Sequence, residues 1–526
     1  MFWADRIAEE IEKKFGKTKP VLIRDEKTLS GRVHVGSMRG VAIHGAVHEA
    51  LAGRGVKNTF KYELNDFDVF DGIPDYLQRE QFEKYLGMML RDVPSPDLPA
   101  EASAKEGPSA KSFAEYFGNE FKAVIEGAGF TPEFYWGSEL YVSGAMDGVI
   151  REAILHAKDI VRIYKEVSGS QKQEEWLPIA VICPQCKKVA TTEASDFDGK
   201  TVAVHCRVDK APYTKGCDYN GRISPFGGAS KLLWKVEWPA KWKVNGVMVE
   251  GAGKDHSTKG GSRDVGNHIS KEVLSYEPPF DVPYEFFLVG GKKMSSSKGR
   301  GSSAKEVAAL VPAKIFRLAL LGKEINQQVN FDPEGDTIPV LYDQYDKLAL
   351  GYQTVKDDDY ARLFELIHPH GTGKSDFPKS GEVGLPQVGG VLPRFSQVAF
   401  VVQMPHLDLE KEFPDADKTE LHERAHYAKQ WLREYAPEKF VFKLHDSLPP
   451  VEITKEQKTN IKQILEFLNS KPDMAAEEIH GKLHELKAFK EIYLIFLGKD
   501  HGPKAGWFLA SLSREFVLRR LQEASA

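Results

Sequence analysis

Pro20-Val-Leu-Ile-Arg-Asp-Glu-Lys-Thr-Leu-Ser-Gly-Arg-Val-His-Val-Gly-Ser-Met-Arg-Gly40 is the stretch on which the fold of this chain turns. Val21 to Ile23 is a short aliphatic run of the kind buried on both faces of a parallel sheet, and the polar residues after it lead to Ser30-Gly31. From Val35 to about Leu51 small and apolar residues recur at helical spacing. Gly53-Arg54-Gly55 then stops the helix before a second β-run, Val56 to Leu64. The unit is strand, loop, helix, strand. At its loop-to-helix junction, His34-Val35-Gly36-Ser37 offers free amides and the positive end of a helix dipole to a phosphate, and Gly36 lets a flat base approach the backbone. A helix-start glycine beside a hydrogen-bonded histidine would have the same sequence.

A second stretch, Gly290-Gly-Lys-Lys-Met-Ser-Ser-Ser-Lys-Gly-Arg-Gly301, brackets serines and lysines with glycines. That is the composition of a loop that contacts phosphates, and equally of a basic linker. The order Lys293-Met294-Ser295-Ser296-Ser297 is what distinguishes the two.

At 526 residues the chain is long enough for three or four units, each with its own core. With 41% hydrophobic and 28% charged residues it has the composition of an ordinary globular protein. There is no run of about 18 apolar residues, so no membrane span and no membrane partner is expected. The opening Met1-Phe-Trp-Ala-Asp-Arg-Ile-Ala-Glu-Glu-Ile reads as an acidic amphipathic helix without an apolar signal core, which predicts a cytoplasmic location. A net charge of −5 does not by itself point to a polyanion, but a local basic face suffices to hold one.

All four cysteines fall between residues 183 and 217, a concentration that points to metal and away from a disulfide framework. Cys183-Pro-Gln-Cys186 is a tight pair, and Cys206 and Cys217 form a second, wider one around the β-rich Val202 to Val204. Four thiolates suit a structural Zn²⁺ in a small ribbon and leave no open position for catalysis. Free buried thiols, or His205 in place of one cysteine, are the other readings.

With His34-Val-Gly-Ser37 in the place of the "HIGH" signature and Lys293-Met-Ser-Ser-Ser297 in that of "KMSKS", the chain resembles a class I aminoacyl-tRNA synthetase. It is most similar to the class I lysyl-tRNA synthetases, on Ser30-Gly-Arg-Val-His-Val-Gly36, Lys231 to Trp242, Gly253-Lys-Asp-His256 with Gly260-Gly-Ser262, Lys293 to Gly299 and Asn330-Phe-Asp-Pro333. The resemblance runs from Phe2-Trp-Ala-Asp5 to near residue 350 and weakly to the end.

The resemblance implies an α/β fold: a Rossmann-type parallel-sheet nucleotide-binding domain with a small zinc-ribbon-like insertion, followed by an all-α C-terminal region. The expected divisions are 1–170 and 227–300 for the two halves of the catalytic domain, 171–226 for the insertion, 301–345 for a stem-contact region and 346–526 for an anticodon-binding region. Helices are expected at about 113 to 128, 145 to 167, 303 to 310 and 312 to 322, and short strands at Glu133 to Trp136, Lys231 to Val236, Val247 to Glu250 and Tyr284 to Val289. Amphipathic helices follow at about 395 to 404, 417 to 435, 456 to 469, 475 to 495 and 503 to 523.

The implied substrates are lysine, ATP and tRNA(Lys), with Mg²⁺ in catalysis and Zn²⁺ as a structural ion. His34, Gly36, Ser37 and Lys293 are the implied catalytic set. ATP falls to His34, Gly36, Asp255, Lys293, Met294, Ser295, Ser296, Ser297 and Lys298; the usual second lysine of "KMSKS" is Ser296 here, and Lys298 is expected to replace it. For lysine, a buried ammonium needs carboxylate partners, and Asp25, Glu26, Asp66 and Asp68 compete for that role beside Thr28, Trp234 and His256. Trp234, Trp238 and Trp242 recur every four residues, a spacing of core tryptophans; in the family the equivalent of Trp234 lines the lysine pocket.

Relatives tend to have small residues and glycine where this chain has Arg24, Asp25, Glu26 and Lys27. Some also carry Cys and His metal ligands in the region of 92 to 112, which has none here, so no metal is expected there. Cys183, Cys186, Cys206 and Cys217 are the expected zinc ligands, and Trp507, Phe508 and Arg514 the expected tRNA contacts. Two other readings fit less well: a class I synthetase for another amino acid, and a catalytically silent tRNA-binding relative. Silent relatives usually lose residues such as His34, Gly36 and Lys293, which are present.

Overall fold

The computed structural model describes residues 1–96, 110–173, 175–291, 303–354, 358–368, 391–404, 407–471 and 474–526, and the statements below concern these alone. The chain divides into two compact units, Met1–Phe331 with Gly351–Leu385, and Asp332–Leu350 with Pro386–Ala526.

The first unit is built on a parallel sheet of β1 (Val21–Thr28), β2 (Asn58–Asn65) and β3 (Glu133–Trp136), in the order β1-β2-β3. Val21 lies opposite Asn58 and Lys61 opposite Glu133. The helix Met38–Gly53 connects β1 to β2 and is buried nearly all round, which explains its apolar composition on every face. On its other edge β1 bridges in parallel to Val249, which in turn bridges to Phe280. Connections therefore run one way from β1 toward β2 and β3 and the other way toward Val249. The crevice at the carboxyl ends of such a switch point is where an open α/β sheet holds its ligand.

Strands β4 (Ile179–Val181) and β8 (Ser230–Leu232) form an antiparallel pair, and between them β5 (Thr192–Ser195), β6 (Val202–Cys206) and β7 (Asn220–Ile223) make a small antiparallel sheet. Farther on, β9 (Phe287–Val289) pairs in parallel with β10 (Val329–Phe331). Residues of the segment after 350 complete this unit. Arg362 bonds Asp5 at 3.1 Å, and the fully buried Arg317 donates to the Leu366 carbonyl at 2.7 Å and to Glu49 at 2.8 Å.

Several elements differ from expectation. Lys231 to Val236 is not one strand: pairing stops at Leu232 and a helix runs from Trp234 to Asn245, ended by Gly246 at φ 72°. The four-residue recurrence of tryptophan was the helical signal, and Pro239 inside the helix obscured it. Val247 to Glu250 is not a full strand: it lies beside β1 through the bridge at Val249, with the Met248 and Glu250 amides bonding the Leu22 and Phe280 carbonyls. The expected helix at 145 to 167 is two, Asp147–Leu155 and Ala157–Ser168, parted at His156, where φ −103° and ψ 25° leave the helical range.

In the second unit the named elements are helical, around a core that includes Ile461, Leu483, Ile492, Phe496, Phe508 and Leu521. The expected helix at 475 to 495 breaks into Ala476–Leu486 and Phe489–Leu497 at Lys487, which is left-handed at φ 52°. That at 503 to 523 breaks into Ala505–Ser511 and Arg514–Ser525, where the Ser513 hydroxyl caps the second helix by accepting from the Phe516 amide.

Candidate active site

A cleft of about 270 Å³ opens at the switch point. It brings together Asp25, Glu26 and Lys27 from β1, His34, Gly36 and Ser37 from the loop after it, Trp234 and Trp238 from the tryptophan helix, and Glu250 to Gly253 with Asp255 and His256 from the far half of the sheet. Gly36 is close-packed: a β-carbon there would stand 2.9 Å from His34 Nδ1 and 3.2 Å from the Phe287 carbonyl oxygen. Any larger residue would push the histidine ring and the β9 backbone apart. Lys293, Met294, Ser295, Ser296, Ser297 and Lys298 lie outside the described residues, as do most of the 92 to 112 loop and 369 to 390.

The carboxylates proposed for the amino acid separate into two groups. Asp66 does not line the cleft. Its two oxygens accept from the Ser138 amide and hydroxyl, both at 2.7 Å, and burial pushes its carboxyl up. Asp68 accepts from Lys231 at 2.8 Å and Thr28 at 3.3 Å, so Thr28 and Asp68 bond each other and neither lines the cleft. Asp25 does line it, with one oxygen accepting from the Glu26 amide at 2.8 Å and the other 3.3 Å from His44 Nδ1. Glu26 also lines it, bound through Oε2 to Arg24 and, at 3.3 Å, to Lys241.

Beneath these residues lies a buried ionic network. Arg24, fully buried in mid-strand, reaches Glu26, Glu63 and, at 2.8 Å, Glu250. Lys241, also fully buried, reaches Glu63 at 2.6 Å and Glu237 at 3.6 Å. Burial alone would push Glu63 up, but Lys241 and Arg24 outweigh it and hold its carboxyl down to about 2. Burial wins at Glu237 and Glu250, whose carboxyls are pushed up despite Lys231 and Arg24 respectively. Sequence reading missed Glu63, Glu237 and Glu250. The signal available for Glu63 and Glu250 was an acid within or just after a β-run, where a charge without a partner is costly.

Trp234 and Trp238 stack with centroids 5.2 Å apart and planes 14° apart, and His256 meets both edge-on, at 6.3 and 6.0 Å. Trp234 is 37% exposed, Trp238 is buried, and Trp242 is a core residue at 0%. Asp255 packs over Gly253, its Oδ1 3.0 Å from where a β-carbon there would stand.

The four cysteine sulfurs lie within 4.8 Å of one another. Cys183 and Cys217 are 3.5 Å apart and Cys186 and Cys206 3.6 Å. The Cys217 amide and the Thr191 hydroxyl both approach the Cys206 sulfur. His205 is turned away to Asp218, at 2.9 Å.

Residues 1–370 match the family described as tRNA synthetases class I (K). The chain belongs to the class I lysyl-tRNA synthetases. It is 30% identical to a lysine-tRNA ligase of Methanosarcina barkeri, over 99% of this chain and 97% of that one. A lysine-tRNA ligase of Archaeoglobus fulgidus is 29% identical over the whole of both chains. One of Pyrococcus horikoshii is 30% identical over 99% of each.

In the second unit of this synthetase, the three residues expected to meet tRNA have different surroundings. Trp507 is 36% exposed, with the Lys504 ammonium 3.4 Å from its ring centre. Phe508 is buried against Phe400 and Phe496, and Arg514 donates to the Leu468 carbonyl. Trp507 and Phe508 share a cavity of about 620 Å³ with Phe440, Phe442, His501, Lys439 and Lys504.

Proposed function

We propose that this synthetase activates lysine with ATP and transfers it to tRNA(Lys). The observation that carries the reading is the meeting, in one cleft at the sheet's switch point, of His34 and Gly36 with Trp234, His256 and a set of carboxylates. The lysine carboxylate attacks the α-phosphorus, forming lysyl-adenylate and releasing pyrophosphate. The 2′-hydroxyl of the terminal adenosine of tRNA then takes the lysyl group and AMP leaves. No covalent enzyme intermediate is needed, so the residues act by holding reactants in line and meeting charge.

In this reading His34 and the amides beside Gly36 hold the phosphates, Asp255 takes the ribose, and Trp234 and His256 form the wall of the lysine pocket. Lys293 and Lys298 are assigned to the pyrophosphate from the sequence signature alone. Mg²⁺ arriving with ATP would share the charge on the departing pyrophosphate.

The cysteine cluster fits a tetrahedral zinc ion. Four thiolates about 2.3 Å from zinc stand roughly 3.8 Å from one another, close to the 3.5 and 3.6 Å found here. Bound zinc would tie the Cys183 turn to the end of β6 and so fix the insertion. The exposed Trp507 with its neighbouring lysines is the best-placed group in the second unit for an unpaired anticodon base.

ATP–pyrophosphate exchange, run with each of the twenty amino acids in the presence of total tRNA, tests the function. Exchange with lysine alone supports it. Exchange with another amino acid would leave the family and replace the substrate, and tight tRNA binding without any exchange would favour a silent relative.

A further inference from the structure

We infer that Glu250 is the carboxylate that accepts the side-chain ammonium of the substrate, an assignment that rests on the lysine reading above. Of the other acids, Asp66 is held by Ser138, Asp68 by Lys231 and Thr28, and Glu26 by Arg24 and Lys241 through its Oε2. Two more line the cleft, Asp255 beside His256 and Glu285, whose Oε1 is paired with Lys254 at 2.7 Å and whose Oε2 is also buried without a hydrogen bond. Asp25 faces His44 and the Glu26 amide.

Glu250 differs from Glu285 in its neighbours: it is bonded to a tryptophan of the pocket, where Glu285 has the exposed Lys254. Its Oε1 accepts from Arg24 at 2.8 Å and from the Trp238 indole at 2.9 Å, which fixes the carboxylate plane. Its Oε2 is buried and has no hydrogen-bond partner, although the residue is only 2% exposed and lines the cleft. A buried carboxylate oxygen without a donor is costly, and a ligand that brings an N–H donor removes the cost.

The charge around it asks for the same ligand. Arg24, Lys231 and Lys241 are paired with Glu26, Glu63, Glu237, Glu250 and Asp68, three cations against five carboxylates. Burial pushes Glu250 up, as expected of an acid short of positive charge. The other basic neighbour, Arg263, sends its guanidinium to the Glu250 backbone carbonyl and the Pro279 carbonyl and stands 3.8 Å from Asp281. An ammonium entering beside Trp238 would meet the open oxygen of Glu250 and the ring faces of the tryptophan pair together.

The test is exchange kinetics of the full chain with lysine and binding of norleucine, which is lysine without its terminal ammonium. In Glu250→Gln the lysine KM should rise at least about 30-fold with kcat within threefold, while norleucine binds as well as before or better. A lysine KM within threefold of the unsubstituted enzyme would overturn the assignment, and so would equal loss of lysine and norleucine. Glu250→Asp keeps the charge and should shift preference toward homolysine, one methylene longer; unchanged preference would also overturn it. Thermal unfolding of both variants shows which is folded and therefore decides. Absence of lysine-dependent exchange in the unsubstituted enzyme would instead refute the lysine reading itself.

Discussion

Replacing Lys241 by methionine keeps most of the side-chain volume and removes the ammonium that Glu63, Glu26 and Glu237 face at 2.6, 3.3 and 3.6 Å. Taking one partner from a buried ion pair leaves uncompensated charge and costs about 3–5 kcal/mol. Spread over the unfolding entropy of a unit of this size, that is a fall in Tm of roughly 5 °C. The fall should depend on pH in a definite sense. Glu63 is lowered on folding from its ordinary 4.5 to about 2, so its contribution to stability is fully present above 4.5 and is lost as pH falls through about 2. The variant loses much of that contribution. The gap between the two proteins should therefore be widest at neutral pH and narrow as the pH is lowered below about 5. Calorimetric or spectroscopic unfolding at pH 7 and about pH 3 measures it. Adding Glu63→Gln to Lys241→Met should recover part of the loss, because the acid most in need of the ammonium has become neutral. A fall of less than 1 °C at pH 7, or a gap that does not narrow in acid, would refute the reasoning.

Gly36→Ala should lower lysine-dependent exchange by about 100-fold or more with little change in Tm, since the new methyl meets the His34 ring and the Phe287 carbonyl at the cleft wall; exchange within fivefold would count against the close packing. The purified chain should carry one zinc by elemental analysis, and Cys183→Ser should lose it together with several degrees of Tm. Trp507→Ala should weaken tRNA binding about tenfold in a filter assay and leave Tm in place, whereas Phe508→Ala, which empties a core position, should cost about 3–5 kcal/mol of stability. Equal effects of the two on tRNA binding would remove the distinction between rim and core.

Local signals carried much of the architecture. The strand-loop-helix-strand unit at residues 20 to 65 was legible because Val21 to Ile23 is aliphatic and Gly53-Arg54-Gly55 ends its helix sharply; the strand itself was read too short, since it pairs on through the charged Arg24 to Lys27 as far as Thr28. Cysteine crowding likewise marked the cluster in which the turn after β4 meets the end of β6 and the loop before β7. The tryptophan helix was misread, because Leu232-Leu233 looks extended and Pro239 argues against a helix, while the evidence for one lay in a four-residue recurrence attributed to core packing.

Among the acids, Asp66 and Asp68 were attractive by their place at the end of β2. Their partners, Ser138 and Lys231, come from distant sequence and could not be paired with them from one chain. Glu250 was hidden for the opposite reason. It looked like one more residue of a short strand, and only three-dimensional accounting of its two oxygens sets it apart.

The first compact unit takes back residues after 350, once the chain has passed through Asp332–Leu350 of the second. On the ribosome this sets an order of events. When Phe331 has emerged, the guanidinium of Arg317 still lacks the Leu366 carbonyl, and Arg362 is not yet there to meet Asp5. The nascent active-site unit must wait, incomplete, while part of its neighbour is synthesised. A chain cut at Phe331 would be arrested in that state, and limited proteolysis of stalled chains should show protection of the first unit rising only after Ile367 has cleared the exit tunnel.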